Sequence, residues 1–138
     1  MNNTNLSIED RLDIQDLFSL YGYLVDDNRA DEWTALFTED GVFDVPGLMR
    51  MEGHEQVRKV VEMVAKGSQG KWRHQLTNVL VQRGDQADTA TVRMNGLVTD
   101  WSADPATMTF NDYTARLRKI AGQWRIEEIV ARPNKVTV

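Results

Sequence analysis

His74 is one of only two histidines in the 138-residue chain, and its sequence neighbourhood is typical of a β-strand. The alternation of side chains along that strand puts four residues on one face: Trp72, His74, Leu76 and Leu80. A neutral imidazole on such an apolar face needs a polar partner, because an unsatisfied buried donor costs about 1–3 kcal/mol. We therefore expect a carboxylate from elsewhere in the chain to hydrogen-bond to His74.

Asp26 is the best candidate for that partner. It follows a long amphipathic helical pattern whose apolar stripe places the last turn of the helix against the sheet. A carboxylate at the C-terminus of a helix is unfavourable unless a donor offsets the helix dipole, and His74 would supply that donor. A histidine oriented by an aspartate in an apolar cavity is a general base. The pair therefore predicts an enzyme that removes a proton from its substrate.

Three further side chains could assist such a base. Tyr21 lies on the same helix face as Asp26, so its hydroxyl either reaches the cavity or packs in the core. Asn78 is predicted on the His74 face of its strand, where it would donate to a substrate carbonyl or bond to a neighbouring loop. Arg132, on the last predicted strand, would stabilise an anion or a leaving group, or form a salt bridge at the sheet edge.

Composition and charge exclude several other functions. The net charge of −5 disfavours a nucleic-acid binder, which needs a basic face for phosphates. The sequence has no apolar run of about 18 residues and no signal-peptide core near its polar start, so it predicts no membrane span and a cytoplasmic location. Cysteine is absent and no paired-histidine motif occurs, so we expect no metal, no other cofactor and no thiolate chemistry.

Periodicity divides the chain into a helical half and a strand half. The first half predicts helices at 8–25 and 32–37, the latter capped by Asp31, a short strand at 42–45, and a third helix between Gly53 and Gly67. The second half predicts four long strands, at 71–82, 88–101, 107–120 and 123–136. Turns at 84–85 and 121–122 would make hairpins of them.

This order of elements predicts an α+β fold in a single domain spanning residues 1–138, with the helices on one face of a curved antiparallel sheet. A bent sheet wrapped against helices forms a cone with an open mouth, which is a natural pocket for a small-molecule substrate. Exposed residues on the other sheet face indicate a homo-oligomer: Arg93, Leu97 and Trp101.

The order and spacing of several segments resemble the SnoaL-like, scytalone dehydratase-like branch of the nuclear-transport-factor-2-like superfamily. The segments are residues 14–17, 24–26, 31–33, 36–41, 73–78 and 121–126. The resemblance spans most of the chain. It implies a cystatin-like α+β barrel with three helices enclosing a deep pocket, and a homodimer or homotrimer.

Within that superfamily, the pairing of Asp26 with His74 is similar to the dyad of scytalone dehydratase, bile acid 7α-dehydratase and hexachlorocyclohexane dehydrochlorinase. In those enzymes the histidine removes a proton next to a leaving group. Tyr21 and Arg132 fall near the tyrosine and the arginine of the bile acid enzyme. Other positions depart from the pattern, with Met94 or Asn95 in place of a second histidine and Val98 in place of an aspartate. The resemblance implies a cofactor-independent lyase acting on a small, partly apolar ring compound.

Two alternatives stay open at the level of sequence. The same fold houses ketosteroid isomerase and polyketide cyclases, which use an aspartate base; here Asp44 would be that base, with Tyr21 and Asp112 as oxyanion donors. The fold also serves as a non-catalytic ligand-binding module. An open pocket with converging polar groups favours an enzyme, whereas a pocket filled by side chains does not.

Overall fold

The computed structural model describes residues 6–134. Within them the elements are α1 (Ile8–Asp26), α2 (Ala30–Thr34), β1 (Phe37–Val45), β2 (Met49–Glu52), α3 (Gly53–Ser68), β3 (Trp72–Arg83), β4 (Thr89–Asp100), β5 (Thr107–Ile120) and β6 (Gln123–Asn134). The strands form one curved, unclosed sheet in the order β2-β1-β6-β5-β4-β3, antiparallel except for the parallel pair of β1 and β6. The α+β class predicted from the sequence is confirmed.

Helix α1 begins where the sequence predicts, because the Ser7 hydroxyl accepts a hydrogen bond from the Asp10 N–H at 2.9 Å. Its apolar stripe is buried against the concave face of the sheet, mainly against β3: Ile14, Leu17, Phe18, Tyr21, Leu24 and Val25. No helix within residues 6–134 has both the length and the apolar composition that a bilayer crossing requires. The packing of its apolar stripe places the last turn of α1, which ends at Asp26, against the sheet.

The predicted segment at 32–37 differs from the observed one. Helix α2 begins at Ala30 and has Arg29 as its N-cap, so Asp31 lies in the first turn and does not cap the helix. Phe37 belongs to β1 and pairs with Ile126 of β6, so β1 begins five residues before the predicted strand at 42–45. The short edge strand β2 was not predicted, because four residues between two turn glycines carry too little periodicity.

The other bounds shift by one or two residues. Helix α3 runs past Gly67 and ends at Ser68, and its C-cap residue Gln69 adopts the left-handed conformation. The strands β3, β4 and β5 lie where the sequence places them. The predicted end of the last strand, Val136, lies outside the described residues.

A β-bulge in β3 reverses the predicted alternation beyond His74. Asn78 has a φ of +55°, which asparagine tolerates better than most residues, and the register to β4 slips between Thr77 and Leu80. After the bulge Val81 is buried, whereas Leu80 is 51% exposed. The prediction that Asn78 and Leu80 share the face of His74 is therefore wrong, since one inserted residue turns the strand over.

Candidate functional site

A cavity of about 430 Å³ lies between helix α3 and the concave face of the sheet. Most of its lining is apolar and comes from the helix, the first two strands and the far ends of the sheet: Phe43, Val45, Leu48, Met49, Val60, Met63, Val64, Val98, Ala131 and Pro133. The remaining lining residues carry polar atoms: Trp72, His74, Asp100, Thr107, Thr109, Asn111 and Tyr113. An open apolar space with a few converging polar groups is typical of a small-molecule site.

His74 and Asp26 meet at the inner wall of this cavity. The His74 Nδ1 atom lies 2.6 Å from Asp26 Oδ1, and the backbone N–H of His74 donates to Asp26 Oδ2 at 2.7 Å. Both side chains are nearly buried, at 11% and 7% exposed. Because Nδ1 faces the carboxylate, Nε2 is the ring nitrogen left for a molecule in the cavity. The two-point contact with Asp26 fixes the direction of the ring.

The contact depends on a close approach of α1 to β3. At Gly22, one helical turn before Asp26, an added Cβ would lie 3.0 Å from the His74 carbonyl oxygen and 3.1 Å from a Leu76 methyl carbon. These distances are tighter than most Cβ contacts, so glycine suits this close approach of the helix backbone to the strand. Asp26 is the last residue of α1, and the two donors from His74 offset the unfavourable position of a carboxylate at a helix C-terminus.

Tyr113 supplies a hydroxyl on the same side of the sheet. Its ring crosses the neighbouring strand at Gly96, where an added Cβ would lie 2.8 Å from two ring atoms. The hydroxyl has no hydrogen-bond partner among residues 6–134. Burial raises the pKa of Tyr113 to about 12, and the negative charge of Asp26 contributes to the rise. The phenol therefore stays protonated at neutral pH and can donate to a ligand.

Tyr21 was the tyrosine predicted to reach the cavity, but the structure places it behind the lining. It is buried and packs its ring against Trp33 and Tyr113, at centroid distances of 5.2 and 6.5 Å. Burial raises the pKa of Tyr21 well above its ordinary value. Its observed contacts are those of a core residue that supports Tyr113.

Asn78 and Asp112 lie on the outer, convex face of the sheet and not in the cavity. Asn78 Nδ2 donates to Asn95 Oδ1 at 3.2 Å, and Asp112 accepts from Asn95 and Asn134 at 3.2 and 2.6 Å. Asp112 alternates with Asn111 and Tyr113, which line the cavity. Strand alternation turns both side chains outward, so this placement does not favour the predicted binding roles of Asn78 and Asp112, which stay untested predictions.

Asp44 and Arg132 face away from the cavity for the same reason. Phe43 and Val45 line it, so Asp44 between them points outward and pairs with Arg50 at 3.3 Å. Arg132 is exposed on β6, opposite Asp112. Neither residue belongs to the cavity lining, and their binding roles stay untested predictions that this placement does not favour.

Sequence reasoning missed Asn111 and Tyr113. Asn111 is buried, and its Nδ2 donates to the Gly96 carbonyl at 3.1 Å. The alternation of β5 would have identified both residues. Ala115 and Leu117 face the core, and Asn111 and Tyr113 occupy positions on the same side of the strand. Along a strand, a polar residue at a position that alternates with buried apolar residues is a better site candidate than one at a position that faces solvent.

Two further electrostatic features bear on the ligand. At the mouth, hydrogen bonds from Ser102 hold the pKa of Asp100 below its ordinary value, so this carboxylate is ionised at neutral pH. Among residues 6–134, no three His, Cys, Asp or Glu side chains lie close enough together to share a metal ion. No Lys or Arg belongs to the described cavity lining.

The sequence profile of the SnoaL-like domain matches residues 6–130, so this chain belongs to the SnoaL-like domain family. No curated protein sequence matches it significantly. The family membership predicted from the spacing of the short segments is confirmed.

Solved structures show the same fold at low sequence identity. An NTF2-like protein with a cystatin-like fold from Novosphingobium aromaticivorans is 22% identical, with a TM-score of 0.85 over 95% of this chain and 86% of that protein. A candidate scytalone dehydratase from the same organism is 22% identical, with a TM-score of 0.82 over 94% and 87%. A hexachlorocyclohexane dehydrochlorinase from Novosphingobium barchaimii is 21% identical, with a TM-score of 0.80 over 94% and 90%. At these identities the likeness establishes the fold alone.

Proposed function

We propose that this protein is a cofactor-independent lyase in which His74 removes a proton from carbon and Asp26 orients it. One observation carries the proposal: a nearly buried imidazole lines an apolar cavity while its Nδ1 is held by a carboxylate. That arrangement supplies a general base whose free nitrogen faces the ligand. The structural likeness to a candidate scytalone dehydratase and to a dehydrochlorinase supports elimination as the reaction class.

In the proposed reaction, His74 Nε2 takes a proton from a carbon next to the one that bears a hydroxyl or halide leaving group. The electrons of the broken C–H bond form a double bond, and the leaving group departs with its bonding pair. A departing hydroxide takes the proton back from the imidazolium and leaves as water; after loss of a halide ion, solvent water takes that proton, and either route returns His74 to its starting form. Asp26 keeps its hydrogen bond to Nδ1 and stabilises the imidazolium.

The lining supports a neutral, partly apolar ring compound as the substrate. The described lining contains no cation that would balance an acidic group, and the ionised Asp100 at the mouth repels anions. The volume of about 430 Å³ suits one small molecule of one to three rings. The isomerase alternative loses its base, because Asp44 and Asp112 lie on the outer face.

Proton exchange with solvent tests the proposal without knowledge of the natural substrate. A panel of hydroxylated and halogenated ring compounds, incubated in deuterium oxide with the protein, is followed by NMR for deuterium uptake and for elimination. We expect His74→Ala to lower the rate about 10²–10⁴-fold on the responsive compound. His54→Ala is the matched control, because His54 contacts the Phe37 carbonyl oxygen outside this cavity.

Two outcomes would contradict the assignment. If His74→Ala and Asp26→Asn both keep full activity on a compound that the natural sequence converts, the dyad is not the base. If compounds bind in the cavity but none exchanges or eliminates, the protein is a ligand-binding module. Circular dichroism on each variant checks that the protein is still folded.

Self-association, a cytoplasmic location and the absence of nucleic-acid partners stay proposals. The outer face that would pair copies of the chain exposes Arg93 and Trp101, the latter at 62%. Light scattering on the purified chain tests the expected dimer or trimer, and Trp101→Glu should shift it towards the monomer.

A further inference from the structure

Helix α1 carries a second apolar stripe on a side of the helix that is exposed to solvent. This outer stripe consists of four residues: Ile8, Leu12, Leu20 and Tyr23. Ile8 and Tyr23 are the most exposed of the four, at 78% and 71%. Because a helix has about 3.6 residues per turn, all four side chains fall within about a third of its circumference. Single apolar residues scattered on a surface are ordinary, whereas a group on one helix side indicates a contact surface.

The outer stripe is separate from the residues that hold α1 on the sheet. The buried stripe of the helix packs against the sheet and already supplies the apolar contacts that a surface helix needs. A helix with apolar residues on two sides is typical of one that has neighbours on both. None of the four residues lines the cavity that contains His74, so the outer stripe is unrelated to the substrate pocket.

Exposed acidic side chains accompany the outer stripe. Four of them lie along the same side of the helix: Glu9, Asp13, Asp16 and Asp27. Arg11 is the single basic residue of α1, and its Nη1 donates to the Val81 carbonyl at 3.1 Å. Lys119 of β5 binds Asp10 at 2.9 Å, so this cation is already paired. The surface therefore combines apolar and acidic groups.

This charge pattern decides between the possible occupants. A second copy that used the same face would bring these carboxylates close to their own equivalents, and like charges across an interface are unfavourable. Anionic lipid headgroups and nucleic-acid phosphates would be repelled in the same way. A basic protein surface is attracted, and apolar side chains on it would cover the stripe.

We infer that the outer stripe of α1 docks a basic amphipathic helix of a partner protein. The apolar face of that helix covers the stripe, and its Lys or Arg side chains lie beside the carboxylates of α1. From Ile8 to Tyr23 the stripe spans about 22 Å, which matches a partner helix of about four turns. A contact of this size is typical of a transient complex with micromolar affinity.

Peptide binding to the full chain tests the inference. The probe is a synthetic peptide of about 15 residues, made of Leu and Lys at amphipathic helical spacing, and its counterpart carries Glu in place of Lys. We expect the Lys peptide to bind, the Glu peptide not to bind, and the ¹⁵N NMR shifts caused by the Lys peptide to cluster on α1. Fluorescence anisotropy measures both affinities. His74→Ala should leave peptide binding unchanged, because the two sites are separate.

Two pairs of variants separate the outer stripe from general stickiness and general charge. Leu12→Ser combined with Tyr23→Ser should weaken binding of the Lys peptide about tenfold, whereas Met108→Ser combined with Ile120→Ser, exposed on β5, should not.

Asp13→Asn combined with Asp16→Asn should weaken binding of the Lys peptide several-fold at low salt and reduce its salt dependence. Asp85→Asn combined with Asp104→Asn changes the net charge equally, at exposed positions outside α1, and should have little effect. Circular dichroism checks that each variant is folded.

Four results would overturn the inference. The Lys peptide could fail to bind at concentrations up to about 1 mM, or it could bind no better than the Glu peptide. Its shifts could lie away from α1, with equal losses in the control variants. Light scattering could instead show an oligomer that Leu12→Ser with Tyr23→Ser dissociates, in which case a second copy and not a basic partner covers the stripe.

Discussion

The two faces of the sheet carry similar polar residues in different surroundings. On the concave face, His74, Asn111 and Tyr113 line a cavity and are almost enclosed. On the convex face, Asn95 and Asp112 bond to one another within reach of solvent. Adjacent residues on one strand point to opposite faces of the sheet. Whether a polar side chain lines the cavity or lies on the outer surface therefore depends on its position along the strand and not on its residue type.

Matched aspartates, one near each face, give the largest expected difference. Asp26→Asn removes the charge that orients His74, so we expect turnover to fall at least about a hundredfold. Asp112→Asn changes only an outer hydrogen-bond network and should leave turnover within about twofold. Steady-state rates on a responsive compound measure both. Equal losses of turnover in Asp26→Asn and Asp112→Asn would contradict the distinction between the two faces of the sheet.

Glycines provide the next contrast. Gly96→Ala would push a Cβ to 2.8 Å from the Tyr113 ring, which should cost about 1–3 kcal/mol in the free energy of unfolding and lower activity. Gly67→Ala in α3 meets only an ordinary 3.7 Å contact and should stabilise the protein by about 0.5–1 kcal/mol. Urea denaturation gives both values. A neutral Gly96→Ala would show that the ring is not confined.

The buried tyrosines predict a loss of stability at alkaline pH. Because the folded-state pKa of Tyr113 is about 12 and its ordinary value is 10.0, the folded chain binds more protons than the unfolded chain between these values. The free energy of unfolding should therefore fall as pH rises through this window, by at most about 1.4 kcal/mol per pH unit for this group. Tyr113→Phe should flatten the fall, and an equally steep fall in that variant would contradict the assignment.

The smallest effect is expected for the outer ion pair of Asp44 and Arg50. The pair is partly exposed at 3.3 Å, so Asp44→Asn should change the free energy of unfolding by less than about 1 kcal/mol. Turnover should stay unchanged, because the carboxylate does not line the cavity. A large loss of activity would revive an aspartate base and weaken the distinction between the faces.

Much of the fold was predictable because long elements carry strong periodicity. The burial stripe of α1 and the lengths of β3 to β5 follow directly from apolar spacing. The contact between His74 and Asp26 was also foreseen, since a buried imidazole demands a partner and the apolar stripe of α1 carries Asp26 to the sheet. Its role in catalysis stays a proposal.

The faces of several other site residues could not be predicted, because the face on which a strand residue lies depends on bulges and register that periodicity does not reveal. One left-handed residue, Asn78, inverts the rest of β3. For Asp44 and Arg132, the register within short or bulged strands decided the outcome. The alternation of β5 was enough to place Tyr113 on the buried side, but the space for its ring is left by Gly96 on the next strand, and only tertiary pairing brings the two together.

The tautomer of His74 is the most direct test of the account. With ¹⁵N-labelled histidine, NMR distinguishes a protonated from an unprotonated ring nitrogen. We expect neutral His74 to carry its proton on Nδ1, facing Asp26, and to leave Nε2 unprotonated towards the cavity; Asp26→Asn should disturb this state while His54 keeps its own. A neutral His74 that carries its proton on Nε2 would leave no base facing the ligand and would contradict the proposal.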